Sequence, residues 1–466
     1  MYKIVLENIE KKYEFDELIK IFLQPNEYKL FCKTDLEDMA VSDSPEEECE
    51  YEKTFYFENN DRDSLKRQLY HYLSEETGIE PEWGIHTGVR PIKLMGELTK
   101  RLGSVEAAEK EIRESYLFND EKLELTKNIY LTQQEVLGDS EAKAVGIYIG
   151  IPFCPTRCLY CSFTSNQSTP EQIEHYLEAL HKEINYTGKK MSEVGWYPES
   201  IYIGGGTPTT LNADQLDSLL KEVKASYDMS KVREFTVEAG RPDTITKEKL
   251  QVIKDNGVER ISINPQSMKE ETLKIIGRSH SSEDILNAFA MAKEVGIPMI
   301  NADVIAGLPE ESVEDFNRTL DILIDLGAEN ITVHTLAVKR ASRLIDVDSS
   351  FHYKQAKVVK DMLALSQKKM KENGYYPYYL YRQKHMAGSL ENVGYTKPGC
   401  DGIYNIRIMD EHQSIVALGA GGISKIYFPK ENRLERVPNV SNFEIYIERL
   451  DEMLQRKEDN LFKEVE

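Results

Sequence analysis

Three of the chain's six cysteines, Cys154, Cys158 and Cys161, fall within eight residues, in the stretch GIPFCPTRCLYCSF (150–163). Their spacing, C-x3-C-x2-C, puts three potential thiolates on one short loop, which is ligand chemistry. A structural zinc takes four ligands, commonly as two separated Cys-x2-Cys pairs. Cys32, Cys49 and Cys400 form no second pair, and no histidine lies within ten residues of the triplet. Three thiolates suit a [4Fe-4S] cluster with one iron left open. An open iron is a binding position, able to take an amino acid chelated through its amine and carboxylate. Cys32, Cys49 and Cys400 read as inert thiols.

The loop must be held by what precedes and follows it. A strand-like run, GIYIGI (146–151), leads into it. Similar runs recur at SIYIGG (200–205), EFTVEA (234–239), RISIN (260–264), PMINADVIAG (298–307) and NITVHTL (330–336). Helical periods separate them: Ile173, Tyr176, Leu177, Leu180 and Ile184 trace one face. SVEDFNRTLDILIDLG opens on a serine cap and closes on glycine. Six strands alternating with helices indicate an α/β parallel sheet. Six units predict a partial (β/α)6 barrel with its chemistry at the strands' C-terminal ends; an open doubly wound sheet stays possible from the pattern alone. The expected domains are an N-terminal α+β domain (1–135), the barrel (136–350) and a C-terminal α+β extension (351–466) that covers the substrate. Within the last, the tyrosines of GYYPYYLYRQK (374–384) suit a strand over a core and a substrate wall equally well.

At 466 residues the chain is long enough for two or three domains. Its net charge of -22 argues against a nucleic-acid partner. The beginning, MYKIVLENIEKKYEF, lacks the pattern of a secretory signal, and no apolar run could span a bilayer. A cytoplasmic protein is expected, and there thiols stay reduced.

C-x3-C-x2-C after a first strand, with an aromatic residue before the third cysteine, resembles the radical S-adenosylmethionine (SAM) enzymes. GGGTP (204–208) falls where that family contacts the methionine amine. TVEAGRPDTIT, ISINPQS, IGRSH and ADVIAGLP resemble the oxygen-independent coproporphyrinogen III oxidase branch. WGIHTGVRP, HTLAVKRAS, YYLYRQK and LENVGY look like its HemZ, or dehydrogenase, group. The resemblance implies a [4Fe-4S] cluster on Cys154, Cys158 and Cys161, and SAM as cofactor. It sets Tyr148 near the sulfonium and Gly205, Gly206 and Thr207 at the methionine end, and counts Phe163 among the cofactor-binding residues. Glu238 would meet the ribose or amine, and Gln266, Arg278 and Asp303 would complete the pocket.

The implied activity is oxidative decarboxylation of coproporphyrinogen III propionates to vinyls, giving protoporphyrinogen IX in anaerobic heme synthesis. It needs an electron donor such as flavodoxin or ferredoxin. Candidate cations for the propionates are Lys339, Arg340 and Arg343, with Arg382 and Lys384. Oxidase-type members usually show Tyr-x-His before Pro-Phe-Cys and a fourth cysteine after the third; here Gly150 and Ser162 stand instead. Alternatives are a heme-binding or heme-delivery protein, or radical chemistry on another tetrapyrrole. The chaperone-like branch carries a His-Asn pair, where this chain has Tyr404-Asn405.

Overall fold

Short strands rich in β-branched and aromatic residues alternate with helices, and their contacts divide the chain into two units, Met1–Leu131 and Thr132–Glu466. The computed structural model describes residues 1–35, 51–58, 61–138, 141–162, 165–337, 343–344, 355–383 and 390–462. Phe163, Lys339, Arg340, Lys384 and Cys49 lie outside them.

In the first unit β1 (Tyr2–Leu6) pairs in parallel with β2 (Tyr28–Cys32) on one side and β3 (Lys53–Phe57) on the other. Leu65, Leu69 and Leu73, one helical turn apart, form the buried stripe of helix Arg62–Thr77. They join Ile4, Leu6, Phe15 and Leu18 in one core. The WGIHTGVRP stretch turns at Gly84, where φ is +51° and a Cβ would lie 2.0 Å from the Tyr116 carbonyl oxygen. Pro91 then begins helix Pro91–Leu102, as the missing N–H of proline favours.

The second unit is built on six parallel strands: β4 (Ala144–Ile151), β5 (Tyr197–Gly205), β6 (Glu234–Glu238), β7 (Arg260–Ser262), β8 (Met299–Ala306) and β9 (Asn330–Thr335). They lie side by side in chain order. A doubly wound sheet reverses direction at a switch point; this one does not, so the barrel expectation holds. Thr169, Asn212, Ser281 and Ser312 each form a reciprocal capping box at the start of a crossover helix. These caps satisfy backbone donors at the ends nearest the loops that carry the chemistry.

The C-terminal segment extends the same sheet at both edges. β10 (Tyr376–Arg382) and β11 (Glu391–Thr396) add antiparallel strands beyond β9. β12 (Ile415–Leu418) pairs in parallel with β4, followed by the antiparallel β13 (Ile423–Phe428) and β14 (Arg433–Pro438).

A fully buried ion pair anchors this extension. Lys457, on the highly charged helix Leu450–Asn460, sits 2.8 Å from Glu183 and 2.6 Å from the Asn439 side-chain oxygen. Glu183 also accepts from the Gly419 N–H and the Tyr446 hydroxyl. The glycines of LGAGG have a steric reason: Gly419 has φ +84°, and a Cβ there would lie 2.5 Å from the Gly150 carbonyl oxygen. Tyr176 completes the link, donating to that carbonyl at 2.6 Å and accepting from Ala420 N–H.

Candidate active site

The C-terminal ends of β4–β9 surround a cavity of about 470 Å³ in the second unit. Cys154, Cys158 and Cys161 line it from the loop after β4, and Gly205, Gly206 and Thr207 from the end of β5. Glu238 and Arg241 enter from β6, Asn264 and Gln266 from beyond β7, Asp303 from β8, and His334 from β9. Tyr148 and Arg278 also line it. Of the expected site residues in the described chain, the cavity therefore gathers all but two of the substrate cations. Arg343 is exposed. Arg382 points away because side chains alternate along β10: Tyr379, Tyr381 and Gln383 line the cavity, and Arg382 is buried on the other face.

The cysteine loop is stitched to its neighbours through its backbone. Gly206 N–H donates to Ile151 oxygen and Thr207 N–H to Phe153 oxygen, both at 2.8 Å. Cys154 N–H reaches Asn166 oxygen, Leu159 N–H reaches Ile276 oxygen, and Leu344 N–H reaches Leu159 oxygen. Gly206 permits this closeness: a Cβ there would lie 2.5 Å from Phe153 oxygen and 3.0 Å from Cys154 Sγ. Arg241 clamps the loop, donating to Thr156 oxygen and Oγ1 while forking onto Asp243. Sequence reasoning passed over Arg241; its signal was the Arg-x-Asp spacing after a strand end.

The donor set fits the cluster rather than a lone ion. Burial, with the charges of Cys161 and Cys158, pushes the Cys154 thiol up, so the three sulfurs share one field. Among the described residues, however, no three potential ligands converge on a single ion. Zinc, with Zn–S near 2.3 Å, requires such convergence; a cubane takes its thiolates on separate irons.

The rest of the cavity is prepared for a polar ligand. Asn264 Oδ1, Gln266 Oε1 and Arg278 Nε are buried there without a partner, a state native proteins keep for a functional reason. Gln266 holds φ +67°, rare for a side-chain-bearing residue, pinned by hydrogen bonds to Asp303 oxygen and Ile305 N–H. Glu238 is pushed up to about 7 by burial and the Asp303 charge; the Tyr202 hydroxyl, Gly205 N–H and His334 oppose this. Tyr202 donates to Glu238 and stacks on Tyr404 at 4.5 Å, with Tyr148 nearly parallel to both. Tyr202 and His334 are lining residues that sequence reasoning did not single out, while Tyr379 and Tyr381 show that part of the tyrosine run faces the cavity. The absent histidine at Gly150 also has a physical setting: a Cβ there would press to 3.3 Å on Leu418 oxygen of β12.

Residues 148–323 match the Radical SAM superfamily. The chain is 41% identical over 390 residues to the oxygen-independent coproporphyrinogen-III oxidase-like protein HemZ of Bacillus subtilis, covering 83% of this chain and 78% of that protein. The chain belongs to the HemZ family of radical SAM proteins. Its cofactors are a [4Fe-4S] cluster and SAM. The heme chaperone HemW of Bacillus subtilis is 30% identical over 280 residues, covering 59% of this chain and 69% of that protein. Among solved structures, coproporphyrinogen III oxidase (HemN) from Escherichia coli aligns with a TM-score of 0.53 and 22% identity. That alignment covers 70% of this chain and 73% of HemN, and at this identity the likeness establishes the fold alone. No helix among the described residues is long and apolar enough to cross a membrane.

Proposed function

We propose that this HemZ-family chain catalyses oxidative decarboxylation of coproporphyrinogen III propionates to vinyls, a donor such as flavodoxin or ferredoxin supplying the electron that cleaves SAM and a one-electron acceptor taking the electron released with carbon dioxide. The observation that carries the reading is one cavity lined by the cysteine triplet, unpaired polar groups and the parallel tyrosine pair Tyr379–Tyr381. When bound, the cluster and SAM supply one-electron chemistry able to remove a hydrogen atom from a propionate side chain. Cys154, Cys158 and Cys161 hold the cluster. Gly205, Gly206 and Thr207 let the methionine end approach the backbone, Glu238 accepts from ribose hydroxyls or the ammonium, and Arg278 pairs with a carboxylate. Tyr148, Gln266 and Asp303 complete that pocket. Tyr379 and Tyr381 offer a wall for the macrocycle and exclude water. Lys339, Arg340 and Lys384 remain candidate partners for its carboxylates.

Kinship with HemW supports a second reading, a heme-binding or heme-delivery role. An anaerobic assay with coproporphyrinogen III, scored by product mass, separates the two. Stepwise loss of carbon dioxide is expected. Tight heme binding with SAM cleavage but no decarboxylation would overturn the first reading in favour of the second.

A further inference from the structure

We propose that His334, set in place by Asp303 and Tyr381, is the receptor for one carboxylate of an acid-bearing ring substrate. The inference rests on the tetrapyrrole reading of the same cavity and adds the group that recognises the substrate's acid.

Three basic side chains line the cavity among the described residues: Arg241, Arg278 and His334. Arg241 is fully committed to Asp243, Thr156 and Ser279. Arg278 donates to Asn264 oxygen and to the hydroxyl of Tyr160, which lies between two cysteines of the loop, so it faces the cluster side. His334 stands apart from both, on β9.

Its surroundings leave one donor open. Nδ1 lies 3.3 Å from the Tyr381 hydroxyl, which fixes the ring's orientation. Nε2 lies 3.7 Å from Asp303 Oδ2. That is too long for a hydrogen bond. The Nε2–H therefore keeps its capacity to donate, and the side chain is 26% exposed to the cavity. Beside it the rings of Tyr379 and Tyr381 lie 8° from parallel at 6.3 Å and supply aromatic surface on the same side. Gln383 and Asn392 line the same side.

The electrostatics require such a receptor. Asp303 faces His334 from β8, Glu238 from β6, and the tyrosines from β10. Two carboxylates in a partly buried space repel an incoming acid unless a hydrogen-bond donor offsets them.

Coproporphyrin III, metal-free and fully oxidised, tests this without turnover and without iron to ligate. Its affinity and that of its tetramethyl ester are measured by fluorescence titration on wild-type, His334→Gln and His334→Arg protein carrying the cluster. Far-UV circular dichroism and iron content check the fold. The wild type should prefer the acid. His334→Gln should bind the acid about tenfold more weakly, the loss of one charge-assisted hydrogen bond, and the ester unchanged. His334→Arg should restore acid binding. Equal acid affinity in His334→Gln and wild type overturns the inference, as does an equal loss for acid and ester. Wild-type protein binding acid and ester alike overturns it too, while the tetrapyrrole reading survives. Binding of neither overturns both.

Discussion

Lys457→Met isolates the buried ion pair that anchors the C-terminal extension. Lys457 and Glu183 have no solvent exposure, and the charges are 2.8 Å apart. Breaking one side of such a pair costs about 3–5 kcal/mol, because the other charge is left buried without compensation. Methionine keeps the apolar stem, and Glu183 keeps donors from Gly419, Tyr446 and Asn439. The lower end, about 3 kcal/mol, is therefore expected. In the native protein, burial pushes the Glu183 carboxyl up, but Lys457 and those hydrogen bonds outweigh it and hold the carboxyl below its ordinary value. The stability it contributes is thus present above the unfolded-state pKa and lost as pH falls. In the variant burial wins, and the carboxyl can take up a proton instead. The deficit should therefore shrink between pH 8 and pH 5. Urea unfolding followed by tryptophan fluorescence reads it. The chain has two tryptophans, and a Trp83→Phe background leaves Trp196, whose ring packs 5.9 Å from Phe462 just beyond the Lys457 helix. Lys457→Met combined with Glu183→Gln should recover most of the loss. A deficit below about 1 kcal/mol at pH 8, or the same deficit at both pH values, would refute a buried uncompensated charge.

Cys154→Ala should reduce iron from roughly four per chain to background after anaerobic reconstitution and abolish SAM cleavage; retained cleavage would sink the ligand assignment. Gly206→Ala should also lower iron per chain while circular dichroism stays native, since its methyl would meet Phe153 oxygen at 2.5 Å and Cys154 Sγ at 3.0 Å. Glu238 ionises as pH rises through about 7, so calorimetry should show SAM affinity increasing across that window in wild type and flat in Glu238→Gln. Because its folded pKa is raised, Glu238 lowers stability as pH climbs from the unfolded value toward 7, and Glu238→Gln should be the more stable protein at pH 8.

The barrel was legible because its signals are local. All six strands appear at the runs that alternation marks, and Ser312 caps its helix as its position suggested. The edge strands were not. IVAL and RLERVP are short or polar, and only pairing partners far along the chain make them strands. In the tyrosine run, a register shift between Pro377 and Tyr379 decides which rings face the cavity, and no period in the sequence encodes a bulge. The cysteines and the glycine loop announced themselves by spacing. Tyr202 and His334 did not, because their meaning comes from what other strands bring opposite them. Lys457, in a tail dense with charge, is the sharpest case: its partner lies on a distant helix.

The parallel pairing of β12 with β4 has a consequence for how the protein is made. The strand that carries the cysteine loop leaves the ribosome early, but its outer neighbour, Ile415–Leu418, is synthesised only near the end of the chain. At about 5–20 residues per second, that interval is on the order of tens of seconds. Throughout it the nascent chain presents a bare, apolar edge beside three thiols, a combination prone to wrong pairing. Closing that seam covers the outer edge of the strand from which the cysteine loop springs, so exposure of that edge ends only when β12 docks.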